Sequence, residues 1–205
     1  MKTRMIGLCG PAGAGKDTAA DALCSHGWKR IAFADPVREG LAGVNPSIWV
    51  PAYGTWWRWF RRAKWHCVPL RDAVATMGWN ALKQLPEVRG LLQRYGTEGG
   101  RDIHGQDCWI TTARRRIKKL RERYGDGVQV VFTDVRFKNE VAFVRESGGI
   151  VVRIERNQND RQLRGPVSRH ASEISLCEND WDRLIVNNGT INELHLSMRG
   201  VVYGD

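Results

Sequence analysis

The 205-residue chain contains no Cys-x-x-Cys pair, and its five cysteines (Cys9, Cys24, Cys67, Cys108 and Cys177) are scattered. An odd, dispersed set argues against a disulfide framework and a zinc ribbon. It suits a reduced cytosolic protein with ordinary buried thiols. His66-Cys67 and His104 with Cys108 are fragments of metal-ligand spacing, and neither makes a full set. Apolar runs of signal-peptide or membrane-spanning length are missing too, so no membrane partner is expected. Acids are scarce, 22 against 32 Lys and Arg, which leaves a net charge of +10. That surplus calls for a polyanion, either nucleotide phosphates or a nucleic acid backbone. Repeats and low-complexity tracts are absent, and the length fits one domain with insertions and a full core.

Against these absences stands GPAGAGKDTAAD, residues 10 to 21. The apolar stretch RMIGLC before it reads as a strand, and Thr18 onward reads as a helix. Gly10, Gly13 and Gly15 permit the positive-φ turns that aim successive N–H groups into one nest. The dipole of the following helix faces the same point, and Lys16 supplies a mobile positive charge. This is a phosphate-binding loop by residue type, spacing and context. Asp17 occupies the position that normally carries a Mg²⁺-binding hydroxyl, with Thr18 one residue later. It either accepts from the waters of a metal ion or complements the helix dipole.

Further strands are expected over WKRIAFA (28 to 34), VQVVFTDV (128 to 135), IVVRIER and DRLIVNNGT. Helices are expected from Pro36, over Leu70–Met77 and Val88–Tyr95, over FKNEVAFVRESGG and over INELHLSMRGV, while 45 to 69 reads as irregular. Ile110, Ala113, Ile117, Leu120 and Tyr124 recur at helical spacing beside Arg114, Arg115, Arg116, Lys118, Lys119, Arg121 and Arg123, an amphipathic helix with a basic face. Alternating strands and helices predict an α/β fold with a parallel sheet covered on both faces. Ligands of such sheets sit beyond the carboxyl ends of the strands. That rule selects the loop at 10 to 18, Phe33 to Pro36, Asp134 to Arg136, and the segment after IVVRI.

Read together, GPAGAGKDTAAD, FADPVRE, PEVRGLLQRYGTEGGRD with DCW, FTDVRFKNEVAFVRESGGIVVRIER, RHASEISL and LIVNNGTINEL resemble the bacteriophage deoxynucleoside monophosphate kinases, P-loop enzymes related to adenylate kinase. The resemblance covers most of the chain apart from 45 to 69, and Gly90 stands where a second basic residue is expected after Arg89. It implies a three-layer P-loop kinase fold with a parallel sheet of about five strands. Residues 1–205 then form one kinase domain, with a helical monophosphate-binding insertion at 36–109 and a lid at 156–175. Loops of this class carry Lys, a non-hydroxyl residue, then Thr, which makes Gly-Lys-Asp-Thr an ordinary member.

The implied reaction moves the γ-phosphoryl group of ATP to a deoxynucleoside 5′-monophosphate, with Mg²⁺. The implied ATP contacts are Gly10, Ala12, Gly13, Ala14, Gly15, Lys16, Asp17, Thr18 and the lid residue Arg169. Lys16 and Arg136 are the implied catalytic cations, and Asp17 and Asp134 would meet the metal through water. Substrate contacts are assigned to Phe33, Arg38, Arg89, Gln93, Gly96, Thr97, Trp109, Asp134, Arg136 and Glu140. Structural alternatives accompany several of these: an Arg136–Glu140 ion pair, a helix cap at Asp134, and core packing for Trp109. In the lid, Arg161 and Arg164 join Arg169, Gly165-Pro166 forms a hinge, and His170 and Glu173 match the family's His-x-(Ser/Thr)-Glu pattern.

Partners implied are small nucleotides, with no obligate nucleic acid and with room for a homodimer; the expected location is the cytoplasm, that of the host for a phage-encoded chain. GTWWRWFRRAKWHC, 54 to 67, interleaves aromatics with cations, which suits single-stranded nucleic acid as well as a packed amphipathic helix. Two other readings therefore stay open. One is a dephospho-coenzyme A kinase-like enzyme, which needs a base near Asp35 for its hydroxyl acceptor. The other is a nucleic-acid-binding P-loop protein.

Overall fold

The computed structural model describes residues 4–51, 65–156, 176 and 178–204. The Trp-rich residues 54–64 and most of the expected lid, including Arg161, Arg164, Gly165, Pro166, Arg169, His170 and Glu173, lie outside the described residues. The chain divides into two compact units: Met1–Phe33 with Ile110–Asp205, and Ala34–Trp109.

The first unit carries β1 (Met5–Cys9), α1 (Lys16–Cys24) and β2 (Lys29–Ile31) before the division. After it come most of α6 (Cys108–Tyr124), then β5 (Val130–Phe132), α7 (Lys138–Glu146), β6 (Ile150–Glu155), β7 (Arg183–Val186) and α8 (Ile191–Tyr203). Five strands pair in the order β2-β5-β1-β6-β7, and every pair is parallel. Central parallel strands are buried on both faces, so they read as continuous apolar runs. Met5–Cys9 and Val130–Phe132 are buried throughout.

Alternation along the strands splits the core in two. Met5, Cys9, Val130, Phe132 and Val151 pack with Ile110, Ala113 and Ile117 of α6 and with Val141, Phe143 and Val144 of α7. Ile6, Leu8, Val131, Val152 and Ile154 pack with Ala19, Ala20 and Leu23 of α1 and with Leu194 and Met198 of α8. The result is a three-layer α/β fold. Strands β2 and β5 are shorter than their apolar runs, and beyond Ile31 the Phe33 N–H goes to the Asp134 side chain described below.

The Ala34–Trp109 unit contains α2 (Asp35–Val44), β3 (Ser47–Pro51), β4 (Trp65–Pro69), α3 (Leu70–Leu82) and α4 (Pro86–Gly96), then a π-helical turn at Thr97–Arg101 and the short α5 (Asp102–His104). Residues 45 to 69 are not irregular throughout: β3 and β4 form an antiparallel ribbon with Ile48 opposite Val68 and Val50 opposite His66. Ile48 and Val50 point into a core with Leu41, Leu70, Ala73, Leu82 and Val88. Pro46, Pro51 and Pro69 at the strand ends disguise this period-two signal, since proline is tolerated at strand termini and edges. The helix expected to stop at Met77 continues to Leu82 across a break at Gly78 (φ 73°, ψ 158°). Among the described residues no helix is long and apolar enough to cross a membrane.

Candidate nucleotide-binding site

The loop after β1 is the best-defined element. Gly10 (φ 125°) lies so close to β6 that a Cβ would run into the Ile154 carbonyl, and at Gly15 (φ 103°) a Cβ would fall 2.5 Å from Asn187 Nδ2. Gly13 (φ 77°) faces open space. The loop closes with Ala14 N–H donating to Pro11 O at 3.2 Å. Lys16 Nζ donates to the carbonyls of Gly10 (2.8 Å) and Pro11 (2.9 Å), which holds the ammonium over the loop itself. Helix α1 starts at Lys16 with Gly15 as N-cap and no side-chain cap. First-turn N–H groups have no intrahelical acceptor, and they sit at the positive end of the dipole. Amide donors, a positive helix end and an ammonium within one short loop suit a polyphosphate.

Asp17 is exposed and pairs with Arg30 of β2, Nη2 to Oδ1 at 2.9 Å. Arg30 also reaches Asp21 at 3.5 Å, so one arginine ties β2 to the first turns of α1. Ala12 is exposed and Ala14 is buried. Thr18 is half-buried, and its carbonyl bonds His195 Nε2 of α8 at 3.0 Å. Since the carbonyl only accepts, that ring nitrogen carries the proton.

At the neighbouring strand ends, Asp134 Oδ1 accepts from Phe33 N–H at 2.8 Å and joins the exits of β2 and β5. The helix cap that follows is Phe137, not Asp134. Phe33 itself is a core residue, stacked on Phe132 with ring centroids 4.4 Å apart. Glu140 is 1% exposed, and its Oε2 accepts from Arg136 N–H (2.8 Å) and Phe137 N–H (3.2 Å). Through these bonds Glu140 anchors the turn that presents the exposed Arg136. Cys9, the last residue of β1, has its thiol pushed up to about 11 by burial, against the opposing charges of Arg153 and Lys16. It stays protonated at neutral pH and offers no nucleophile.

Within the Ala34–Trp109 unit, Arg38 pairs with Asp35 at 3.2 Å. Arg89, Gln93 and Gly96 follow at spacings of four and three on one face of α4, with Arg89 Nε 3.4 Å from Lys83 O. Arg94 is exposed. Trp109 Nε1 donates to Gly96 O at 2.8 Å, and a Cβ at Gly100 would meet its ring, so the indole braces the end of α4 against the π-helical turn. Trp109 is half-buried there. Thr97 opens that turn and is exposed.

A family model for deoxynucleotide monophosphate kinase matches residues 70–198. A protein of Acanthamoeba polyphaga mimivirus, provisionally named a deoxynucleotide monophosphate kinase, is 30% identical over 202 residues, spanning 93% of this chain and 92% of its own length. The chain belongs to the deoxynucleotide monophosphate kinase family. The deoxynucleoside-5′-monophosphate kinase of Escherichia phage T5 is 26% identical over 185 residues, 70% of this chain and 72% of that one. A solved dephospho-CoA kinase from Campylobacter jejuni is 14% identical over 98% of each chain, with a TM-score of 0.46, too slight a likeness to bear on the substrate. As a member of this kinase family the chain is an enzyme that uses nucleotides.

Three residues of this kinase's architecture escaped the sequence reading. Arg30 pairs with Asp17 across 13 residues, and Asn187 bonds the loop across 173. Arg101, 7% exposed, donates to Gln106 O at 3.0 Å and holds the turn before α6. Arg101 belongs to the GTEGGRD motif and Asn187 to LIVNNG, so the motifs flagged both stretches without saying which side chain matters.

Proposed function

We propose that the chain transfers the γ-phosphoryl group of ATP to the 5′-phosphate of a deoxynucleoside monophosphate, releasing ADP and the diphosphate. The observation that carries this reading is the loop at Gly10–Thr18, with its positive-φ glycines, uncapped helix start and folded-back Lys16, in a chain of this family. An acceptor phosphate oxygen attacks the γ-phosphorus as the bond to the β–γ bridging oxygen breaks. The second proton of a phosphate monoester is lost near pH ~6, so the attacking oxygen is anionic and needs no general base. The task left to the protein is to bring two polyanions together in line.

The loop amides and Thr18 hold the α- and β-phosphates, and Lys16 leaves its carbonyl partners for the β- and γ-phosphates. Arg136, presented by Glu140, neutralises the migrating group. Arg38 and Arg89 hold the acceptor phosphate, and Gln93 reads the base edge with an amide that both donates and accepts. Residues 36–109 act as the monophosphate-binding part and 156–175, with Arg169, as the lid. Asp17 and Asp134 are single carboxylates already bonded to Arg30 and to Phe33 N–H. That donor set suits a Mg²⁺ ion that arrives on phosphates and keeps its waters. When bound, Mg²⁺ would offset charge on the β- and γ-oxygens.

A coupled ADP-release assay with a panel of deoxynucleoside monophosphates tests this. ADP release that depends on at least one of them is expected. Turnover with dephospho-coenzyme A alone, or only with DNA present, would overturn the reading.

A further inference from the structure

We propose that Asn187 is a positioning residue for the phosphate loop, setting the direction of the Gly15 N–H through its bond to Ala14. Asn187 follows the last residue of β7, and its backbone N–H donates to Glu155 O at 2.6 Å, so the sheet fixes its Cα. Its side chain turns under the loop and donates Nδ2 to Ala14 O at 2.8 Å. The contact is enclosed: Asn187 is 9% exposed and Ala14 is fully buried. The amide nitrogen lies 2.5 Å from where a Cβ on Gly15 would stand, and Leu194 Cδ2 lies 3.3 Å from it. The space behind the loop is therefore filled by one donor and one methyl group.

The consequence follows from peptide geometry. In a planar trans peptide the C=O and N–H point in opposite directions. Drawing the Ala14 carbonyl back onto Asn187 turns the N–H of Gly15 the other way, toward the side a bound phosphate takes in the proposed reaction, on which this inference rests. If the Ala14–Gly15 peptide flipped, the Asn187 amide would be buried without its acceptor and the loop would lose a donor. His195, bonded to Thr18 O, holds the next turn from the same direction. Strand β7 and helix α8 thus brace the loop from behind, and the bound phosphate meets backbone groups already aimed.

Asn187→Asp tests the idea with no change of shape. It replaces the donor by a carboxylate facing the Ala14 carbonyl. Asn187→Ala and Asn187→Ser, measured in the same way, serve if the charged variant fails to fold. Each is read by thermal melting and by calorimetric titration with ATP alone and with one accepted deoxynucleoside monophosphate alone. The parent chain should bind both. In Asn187→Asp and Asn187→Ala, ATP affinity should fall by about tenfold or more, the weight of a hydrogen bond to a charged group. Monophosphate affinity and melting temperature should stay near the parent's, and Asn187→Ser, with a shorter donor, should fall between.

Folded variants with parental ATP affinity would overturn the proposal. So would a parallel loss of both nucleotides with the melting temperature, or loss of folding in all three, because Asn187 would then serve the fold alone. A parent that binds no ATP would overturn the proposed function, and this inference with it.

Discussion

In the phosphate loop the proposed binding groups are backbone amides, packed against buried neighbours: the Ile154 carbonyl beside Gly10, and Asn187 bonded to Ala14. In the Ala34–Trp109 unit the proposed binding groups are Arg38, Arg89 and Gln93, half-exposed side chains on helices. Arg38 holds a partner of its own at 3.2 Å, and Arg89 leans on a carbonyl at 3.4 Å. Long side chains keep rotamer freedom that must be given up when a ligand arrives. The loop gave up its freedom on folding. The difference teaches that the loop is preorganised and the proposed acceptor residues are adjustable. Substitutions at the two ends should therefore fail in different ways.

The widest gap should appear at Lys16. Lys16→Ala removes a charge that offsets the transferring group, so kcat should fall by about 10²-fold or more. Circular dichroism melting should be nearly unchanged, because the ammonium's bonds at 2.8 and 2.9 Å run to carbonyls of the loop itself. Near-parental kcat in a folded variant would sink the assignment of the donor site.

Next in size is the pair Arg136 and Arg89. The migrating group redistributes charge only in the transition state, so Arg136→Ala should lower kcat with both KM values nearly constant. The acceptor phosphate is charged throughout, so Arg89→Ala should raise KM for the monophosphate more than it lowers kcat. Steady-state kinetics with each nucleotide varied in turn decide it, and the reverse pattern would exchange the roles.

Glu140→Ala sharpens the comparison from the structural side. It strips two half-buried backbone amides of their charged acceptor, which should cost about 2 kcal/mol in a urea titration and blur the placement of Arg136. Glu140→Gln keeps an acceptor and should cost less. Equal stability of all three proteins would show that the carboxylate does not hold the turn. Smallest is Trp109→Phe, which keeps a ring but loses the indole donor to Gly96 O. About 1 kcal/mol of stability should go, and KM should rise equally for every accepted base. A base-dependent KM change would restore Trp109 as a stacking residue.

The loop was legible because a backbone site imposes glycine at fixed spacings, and spacing is what a sequence displays. The sheet was legible for a related reason: strands buried on two faces leave runs such as MIGLC and VVF. Side-chain chemistry was less so. Glu140 in the first turn of α7 and Phe33 after β2 show their residue types in the sequence, but not the amides that bond the one or the ring that stacks on the other. Trp109 declared an aromatic but not the carbonyl that claims its indole. The β3–β4 ribbon hid behind its prolines, and Arg30 and Asn187 act on partners that only the folded sheet brings near.

The strand order has a consequence for how the molecule is made. Strand β1 precedes the other four strands of its sheet in the chain, yet it lies in the middle of the sheet, and its neighbours begin at Val130 and Ile150. Pairings so distant in sequence carry a loop-closure cost before any contact repays it, and they slow folding. The core of the intervening unit, by contrast, joins residues between Leu41 and Val88 and is complete in the emerging chain long before β5 is synthesised. Ala14 of the loop is translated 173 residues before Asn187, whose side chain bonds it. A nascent chain stalled before β7 carries the whole motif without its support, and its ATP affinity should rise once β7 and Asn187 have emerged.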